Sequence, residues 1–276
     1  MNFYQKKQLA MGIISRAALA LLLLAPPNLW AWGQTGHRVT GGLAEPLLSA
    51  EAQLLVRGLL GPESLAEAST WADEMRSAPG SFWQKTANPW HYVTVPKGQD
   101  YEAVGAPPEG DAVTALARYR ARLLNPTLAL EVRREALRLI VHYIGDLHQP
   151  LHAGNGTDRG GNDVRVRYFG KSTNLHRVWD SSMIDGERLS YTEWVAWLAP
   201  RLDGAFRARY ASIDPKDWIG ESVALRDQVY PDGDRLSYDY IFQHKDAQRT
   251  RLMAAGWRIA AYLNAACEAS PEACAP

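Results

Sequence analysis

The 276-residue chain balances 30 lysines and arginines against 30 aspartates and glutamates. A protein that grips nucleic acid by charge alone is basic, so this composition excludes that mode and leaves metal ions or local contacts to attract phosphates. Beyond the first 31 residues no stretch is long and apolar enough to span a bilayer, which also sets aside a stable membrane association.

Residues 1–31 have the pattern of a secretory signal. Lys6, Lys7 and Arg16 form a basic start, Ala17 to Ala25 an apolar core, and Ala31 a small residue before a cut. Leu29 departs from the small residue usual at the third position before such a cut. The apolar core is too short for a spanning helix and is interrupted by Pro26 and Pro27. Export to the periplasm or the medium follows, with residues 32–276 as one domain large enough for a sizeable core. Cleavage takes away three basic residues and no acid, so the mature domain is slightly acidic.

Apolar periodicity predicts helices near 37–48, 51–59, 63–76, 111–124, 130–148, 192–209, 217–229 and 240–264. The clearest spans 131–147, where Val132, Leu137, Leu139, Ile140, Tyr143, Ile144 and Leu147 make a broad buried face, and Pro150 ends it. Only 162–169 alternates like a strand, with Gly170-Lys-Ser-Thr predicted as the turn of a small β-hairpin. The loops near 77–110 and 153–162 are long, irregular and rich in Gly, Pro and Asn, a mark of functional loops. Cys267 and Cys274 suit a disulfide closing a small tail loop in an exported protein; two zinc-bound thiolates are the alternative, without a histidine or acid at ligand spacing beside them. The fold class is mainly α, with no internal repeat and nothing that requires an obligate partner, so a monomer is expected.

The chemistry lies in the histidines. Of seven in the chain, five stand in metal-ligand patterns: His37, His91, His142, His152 and His176. His142 and Asp146 are four apart on a predicted helix, so both side chains leave one face and can reach one ion; His176 and Asp180 repeat that spacing. His152 follows Pro150, where the chain leaves the helix and can turn an imidazole back. His148 makes His-x-x-x-His with His152, but lies about 240° round an ideal helix from His142, which assigns it to supporting the ligands from behind or to packing. His244 has no ligand-like neighbour. Cleavage after Ala31 frees the amine of Trp32, which with its carbonyl oxygen can chelate an ion beside His37; a mere apolar plug is the other reading of Trp32.

These residues resemble the zinc-dependent single-strand nucleases, the type I or S-one/P-one group, which share their fold with bacterial zinc phospholipases C. The resemblance covers nearly the whole chain from Trp32. It is densest in Trp-Gly-x-x-Gly-His at 32–37, Trp-Ala-Asp-Glu-x-Arg at 71–76, His142 to His152, Gly-Gly-Asn at 160–162 and Asn-Leu-His-x-x-Trp-Asp at 174–180. It implies a single-domain, multi-helix phospholipase C/type I nuclease fold holding three Zn2+. Asp73, His91, His142 and Asp146 would bind one ion; Trp32 and His37, with Asp146 bridging, a second; and His152, His176 and Asp180 a third. Arg76 and Asn162 match positions that contact the scissile phosphate, and Tyr92 matches an aromatic that stacks on a base. Many fungal members carry a base-binding aspartate three residues after the equivalent of His91, where this chain has Thr94.

The implied activity is hydrolysis of single-stranded DNA and RNA to 5′-phosphorylated nucleotides, with 3′-nucleotidase activity alongside. It accords with the residues: zinc makes a hydroxide available near neutral pH, and Arg76 and Asn162 can stabilise charge on the phosphoryl oxygens. An unpaired base leaves its stack at little cost to lie on Tyr92. The rival with the same metal cluster is a zinc phospholipase C, which Trp-Ala-Asp-Glu-Met-Arg and Gly-Gly-Asn disfavour. A non-catalytic zinc protein would use closed four-ligand sites, whereas the third cluster here has three protein ligands. A zinc peptidase lacks its His-Glu-x-x-His.

Overall fold

The computed structural model describes residues 32–275; the signal-like segment 1–31 lies outside the described residues. The longer helices are α1 (Gln34–Ala44), α2 (Ala50–Leu60), α3 (Ala112–Leu123), α4 (Leu130–Leu147), α5 (Tyr191–Leu198), α6 (Pro215–Val229) and α7 (Tyr238–Ala269). Short polar side chains start four of them. Ser49 accepts from the Ala52 N–H at α2, and Asp111 and Ser190 close capping boxes on α3 and α5.

The predicted helix at 130–148 is the axis of the molecule. Every residue from Leu139 to Leu147 is buried, so its second half is surrounded on all sides, and His148 forms its C-cap. Its apolar face joins a main core with Leu55, Leu59, Leu116, Tyr119, Ile259 and Leu263 from α2, α3 and α7. A second cluster packs Trp32, Val39 and Leu43 against Trp194 and Leu252. A third joins Leu151, Val178 and Trp179 to Val229 and Tyr240.

Two predicted helices are interrupted. The stretch 63–76 breaks into Leu65–Ala68 and Trp71–Met75, because the Ser69 and Thr70 hydroxyls bond back to the Ala66 and Glu67 carbonyls. The stretch 192–209 stops at Leu198, turns through Pro200, and restarts at Gly204 with Asp203 as cap. The longest helical stretch not predicted, Leu175–Gly186, winds as short consecutive turns, with a wider turn at Val178–Ser182.

The predicted hairpin forms from β3 (Arg165–Tyr168) and β4 (Lys171–Asn174), and β5 (Arg235–Leu236) joins β3 in parallel. Its turn differs from the prediction. Phe169 and Gly170 alone make it, with φ of 49° and 76°, while Lys171, Ser172 and Thr173 belong to the returning strand. Paired positive φ values match the twist of the flanking strands. Two further strands, β1 (Val93–Thr94) and β2 (Ala153–Gly154), pair in parallel and tie the two long loops together. Buried Arg226 clamps that pair by donating to the Val95 and Ala153 carbonyls, 2.7 Å each. Cys267 and Cys274 form the tail disulfide, with Cα atoms 5.6 Å apart, which removes them as zinc thiolates.

Helix α7 crosses α1 at Gly256, where a Cβ would lie 2.5 Å from the Leu43 Cβ and 3.1 Å from the Thr40 carbonyl oxygen. Both neighbours are fixed, so Gly256→Ala is expected to destabilise the fold by about 1–3 kcal/mol. Urea denaturation at fixed zinc concentration checks this.

Candidate metal centre

Helix α4 carries His142 and Asp146 on one buried face, as the four-residue spacing requires. Asp146 is the hub. Its Oδ2 lies 3.0 Å from His91 Nδ1 and 3.1 Å from His142 Nε2; its Oδ1 lies 3.3 Å from His37 Nε2 and 3.6 Å from His152 Nδ1. His37, on α1, stacks on His142 with ring centroids 4.0 Å apart. Gly145 permits this approach, since a Cβ there would stand 3.1 Å from the His37 ring. Asp73, from the helical turn after the Ser69–Thr70 break, comes within 4.0 Å of His142 Nε2. Donor atoms of His37, His142 and Asp146 lie within 4.8 Å of one another, and so do those of Asp73, His91 and His142.

A third group meets the same distance condition: His152, His176 and Asp180, all buried. His176 Nε2 is 3.0 Å from Asp180 Oδ2, and His152 Nε2 is 3.7 Å from Asp180 Oδ1. The unpredicted helical turns at 175–186 supply the spacing for this second His–Asp pair.

The rings are held from behind. His142, His152 and His176 each direct Nδ1 at a carbonyl oxygen, of Ser69, His91 and Gly160 respectively, 2.7 Å in each case. A carbonyl only accepts, so Nδ1 carries the proton and Nε2 keeps a lone pair for an ion. The helix break at Ser69 is what frees the first of these carbonyls. Gly160 has φ of 62°, and a Cβ there would lie 2.3 Å from the Leu151 carbonyl oxygen, so only glycine fits behind His176.

The donors fit cations. Among the described residues, seven of the thirteen buried side-chain polar atoms without a hydrogen-bond partner belong to His37, Asp73, Asp146, His152 and Asp180. Buried polar groups are normally paired, so this concentration marks where positive charge belongs. The titration behaviour agrees. Burial holds His91 down to about 4 and also lowers His37. Burial opposes charge on His152 too, yet Asp146 and Asp180 lift it to about 9. Burial works against the Asp146 carboxylate, but His142 and His152 hold it well below the usual carboxylate range.

A cleft of about 320 Å³ opens beside both clusters, lined by His91, His152 and His176 and by residues of the two long loops. Arg76, Tyr92, Thr94 and Asn162 line it. Tyr92 is 39% exposed, which excludes a core role. Arg76 donates to Asn88 Oδ1 at 3.1 Å and stands 3.7 Å from Asp73 Oδ1. Asn162 is buried and anchored through its Nδ2 to the Arg159 carbonyl.

Comparison with known proteins agrees with this geometry. Residues 32–268 match the S1/P1 Nuclease family profile. The chain belongs to the S1/P1 nuclease family. It is 30% identical to Nuclease S1 of Aspergillus oryzae, over 91% of this chain and 96% of that one. It is 31% identical to Nuclease P1 of Penicillium citrinum, over 77% and 83%, and 28% identical to Endonuclease 2 of Arabidopsis thaliana, over 93% and 98%. As an S1/P1 nuclease it is a hydrolase acting on phosphodiester bonds.

In this S1/P1 nuclease the eight predicted His and Asp donors converge as three buried groups. The Trp32 side chain is fully buried, and its Nε1 donates to the Gly145 carbonyl at 2.8 Å, so the indole does pack as an apolar plug. His148 also packs, with Nδ1 on the Ile144 carbonyl and Nε2 facing Arg258 at 3.1 Å; burial, with Arg251 and Arg258 beside it, keeps it neutral. His244 rests against Tyr240 and Trp179. Sequence reasoning missed Gln149. Fully buried, it donates to Asp180 Oδ1 and accepts from the Leu151 N–H, bracing the third group from within the His-Gln-Pro-Leu-His run.

Histidine ligates only when neutral, so protons compete with metal and affinity is expected to climb as pH rises towards about 9, where His152 loses its proton. Metal content after dialysis across that range, by elemental analysis, checks the sign. Asp146→Asn is expected to leave at least one ion fewer per chain, because the hub touches both halves of the first cluster.

Proposed function

We propose that this S1/P1 nuclease is an exported trinuclear zinc enzyme that hydrolyses single-stranded DNA and RNA to 5′-phosphorylated nucleotides, with 3′-nucleotidase activity. The observation that carries the reading is three buried His/Asp groups, two sharing His142, beside one cleft that His91, His152 and His176 line. Asp73, His91, His142 and Asp146 would hold one ion. His37, with the amine and carbonyl of Trp32 and a share of Asp146, would hold a second. His152, His176 and Asp180 would hold the third. Two considerations support the Trp32 assignment. The family match begins at residue 32, and the buried indole pins this residue to the α4 turn between His142 and Asp146. The tail disulfide, and the absence among the described residues of a helix able to cross a membrane, accord with export.

Bound zinc supplies Lewis acidity, which lowers the pKa of water and neutralises phosphoryl charge. The chain does the rest. Arg76, held by Asn88 and Asp73, presents its guanidinium to the phosphoryl oxygens, and Asn162 offers them a fixed amide. Tyr92 gives an unpaired base a half-exposed face to stack on. Thr94, also exposed in the cleft, both donates and accepts, so no fixed charge selects the base there.

The test is release of 5′-mononucleotides from single-stranded DNA and RNA by protein beginning at Trp32, before and after chelation. Release that stops on chelation and returns with zinc is expected; no release from zinc-loaded protein sinks the reading and makes phosphatidylcholine the next substrate to try. Arg76→Ala is expected to lower kcat by about 10²–10³. Tyr92→Ala is expected to act mainly on KM, losing about 1–3 kcal/mol of stacking.

A further inference from the structure

A second groove, of about 460 Å³, meets the Tyr92 cleft at Asn162 and His176, which line both. Its other walls come from the first turn of α1 and from the Asn174–Asp185 segment. Gly33 seals the floor: its N–H donates to the Asp180 carbonyl at 2.7 Å, and a Cβ there would stand 2.3 Å from Ser181 Oγ. Where the cleft offers aromatic and apolar surface, this groove offers donors, from Gln34, Asn174 and Ser181 and above all from Arg38 and Arg177.

The two arginines differ from six others that are tied to acids. Arg76, Arg138, Arg226, Arg249, Arg251 and Arg258 all lie against carboxylates. Among the described residues no carboxylate lies within ion-pair distance of Arg38 or Arg177; Arg38 reaches only Gln34 Oε1, at 3.3 Å. The acids of the groove are engaged, Asp180 with His176 and Asp185 as acceptor from Thr35. Each arginine also follows a metal-site histidine in sequence, His37 or His176, so its backbone is fixed relative to the metal centre.

We infer that this groove binds the backbone phosphates of a polynucleotide on the side of the scissile bond opposite the base stacked on Tyr92. Arg38 and Arg177 are its anchors. A ligand running through both grooves must pass the metal centre at Asn162 and His176 and carry anionic charge beyond it. A nucleic-acid strand satisfies both conditions, and a mononucleotide cannot fill both. The inference rests on the nuclease reading and deepens it: the second groove sets preference for polymer over single nucleotides.

The experiment compares the zinc-loaded protein beginning at Trp32 with its Arg38→Gln, Arg177→Gln and double variants. It measures kcat/KM on a single-stranded DNA oligonucleotide and on a nucleoside 3′-monophosphate across a salt series. The double variant is expected to lose at least about ten-fold more on the oligonucleotide than on the mononucleotide, the scale of charge-assisted hydrogen bonds removed. The salt slope of oligonucleotide cleavage should fall by about 0.7 for each arginine removed. Parallel loss on both substrates, or an unchanged oligonucleotide rate and salt slope, overturns the inference. Binding of a cleavage-resistant phosphorothioate oligonucleotide decides the case separately from hydrolysis. Weaker, less salt-dependent binding by the variants supports the groove even if the wild type cuts nothing, and unchanged binding overturns it.

Discussion

A fully buried carboxylate, Asp146, is approached by four imidazoles from four parts of the chain, and the rest of the molecule is arranged around that convergence. Burying a charge is expensive unless it is paired, so Asp146 obliges the fold to bring partners to it. The histidines repel one another as soon as they are protonated, and protons alone satisfy the cluster incompletely. Several of its atoms therefore keep no hydrogen-bond partner. Cations meet that demand without adding volume, and so the centre of the fold is also its chemical centre.

Holding such a cluster needs rigidity behind each donor. Helix α4 supplies it for His142 and Asp146, being buried on all sides over its last turns. Helix α1 carries His37, the other donors come from loops and short helical turns, and backbone carbonyls steady the rings of His142, His152 and His176. Irregular backbone is useful here because a regular helix leaves no carbonyl free to receive an Nδ1 proton. The Ser69–Thr70 break, the left-handed Gly160 and the short β1–β2 pairing all serve that end.

The long loops flagged by composition do form the walls of the cleft, and the helix at 130–148 lies within a residue of its expected bounds. Breaks in helices were less legible. Ser69 and Thr70 are ordinary in a helix by propensity, and what ends the helix is their hydroxyls returning to the backbone while His142 claims the Ser69 carbonyl. Gln149 was hidden for a similar reason: its role depends on Asp180, thirty-one residues away.

By itself the sequence determined the mainly helical class, the His–Asp donor set and the family, because spacing of four along a helix fixes which side chains share a face and the motifs are dense. Tertiary structure decided how those donors divide and what surrounds them. It made Asp146 the hub, put Tyr92 at the surface rather than in the core, and opened two grooves that meet at Asn162 and His176. Such outcomes depend on contacts between residues far apart in the chain, and local periodicity carries no information about distance across a core.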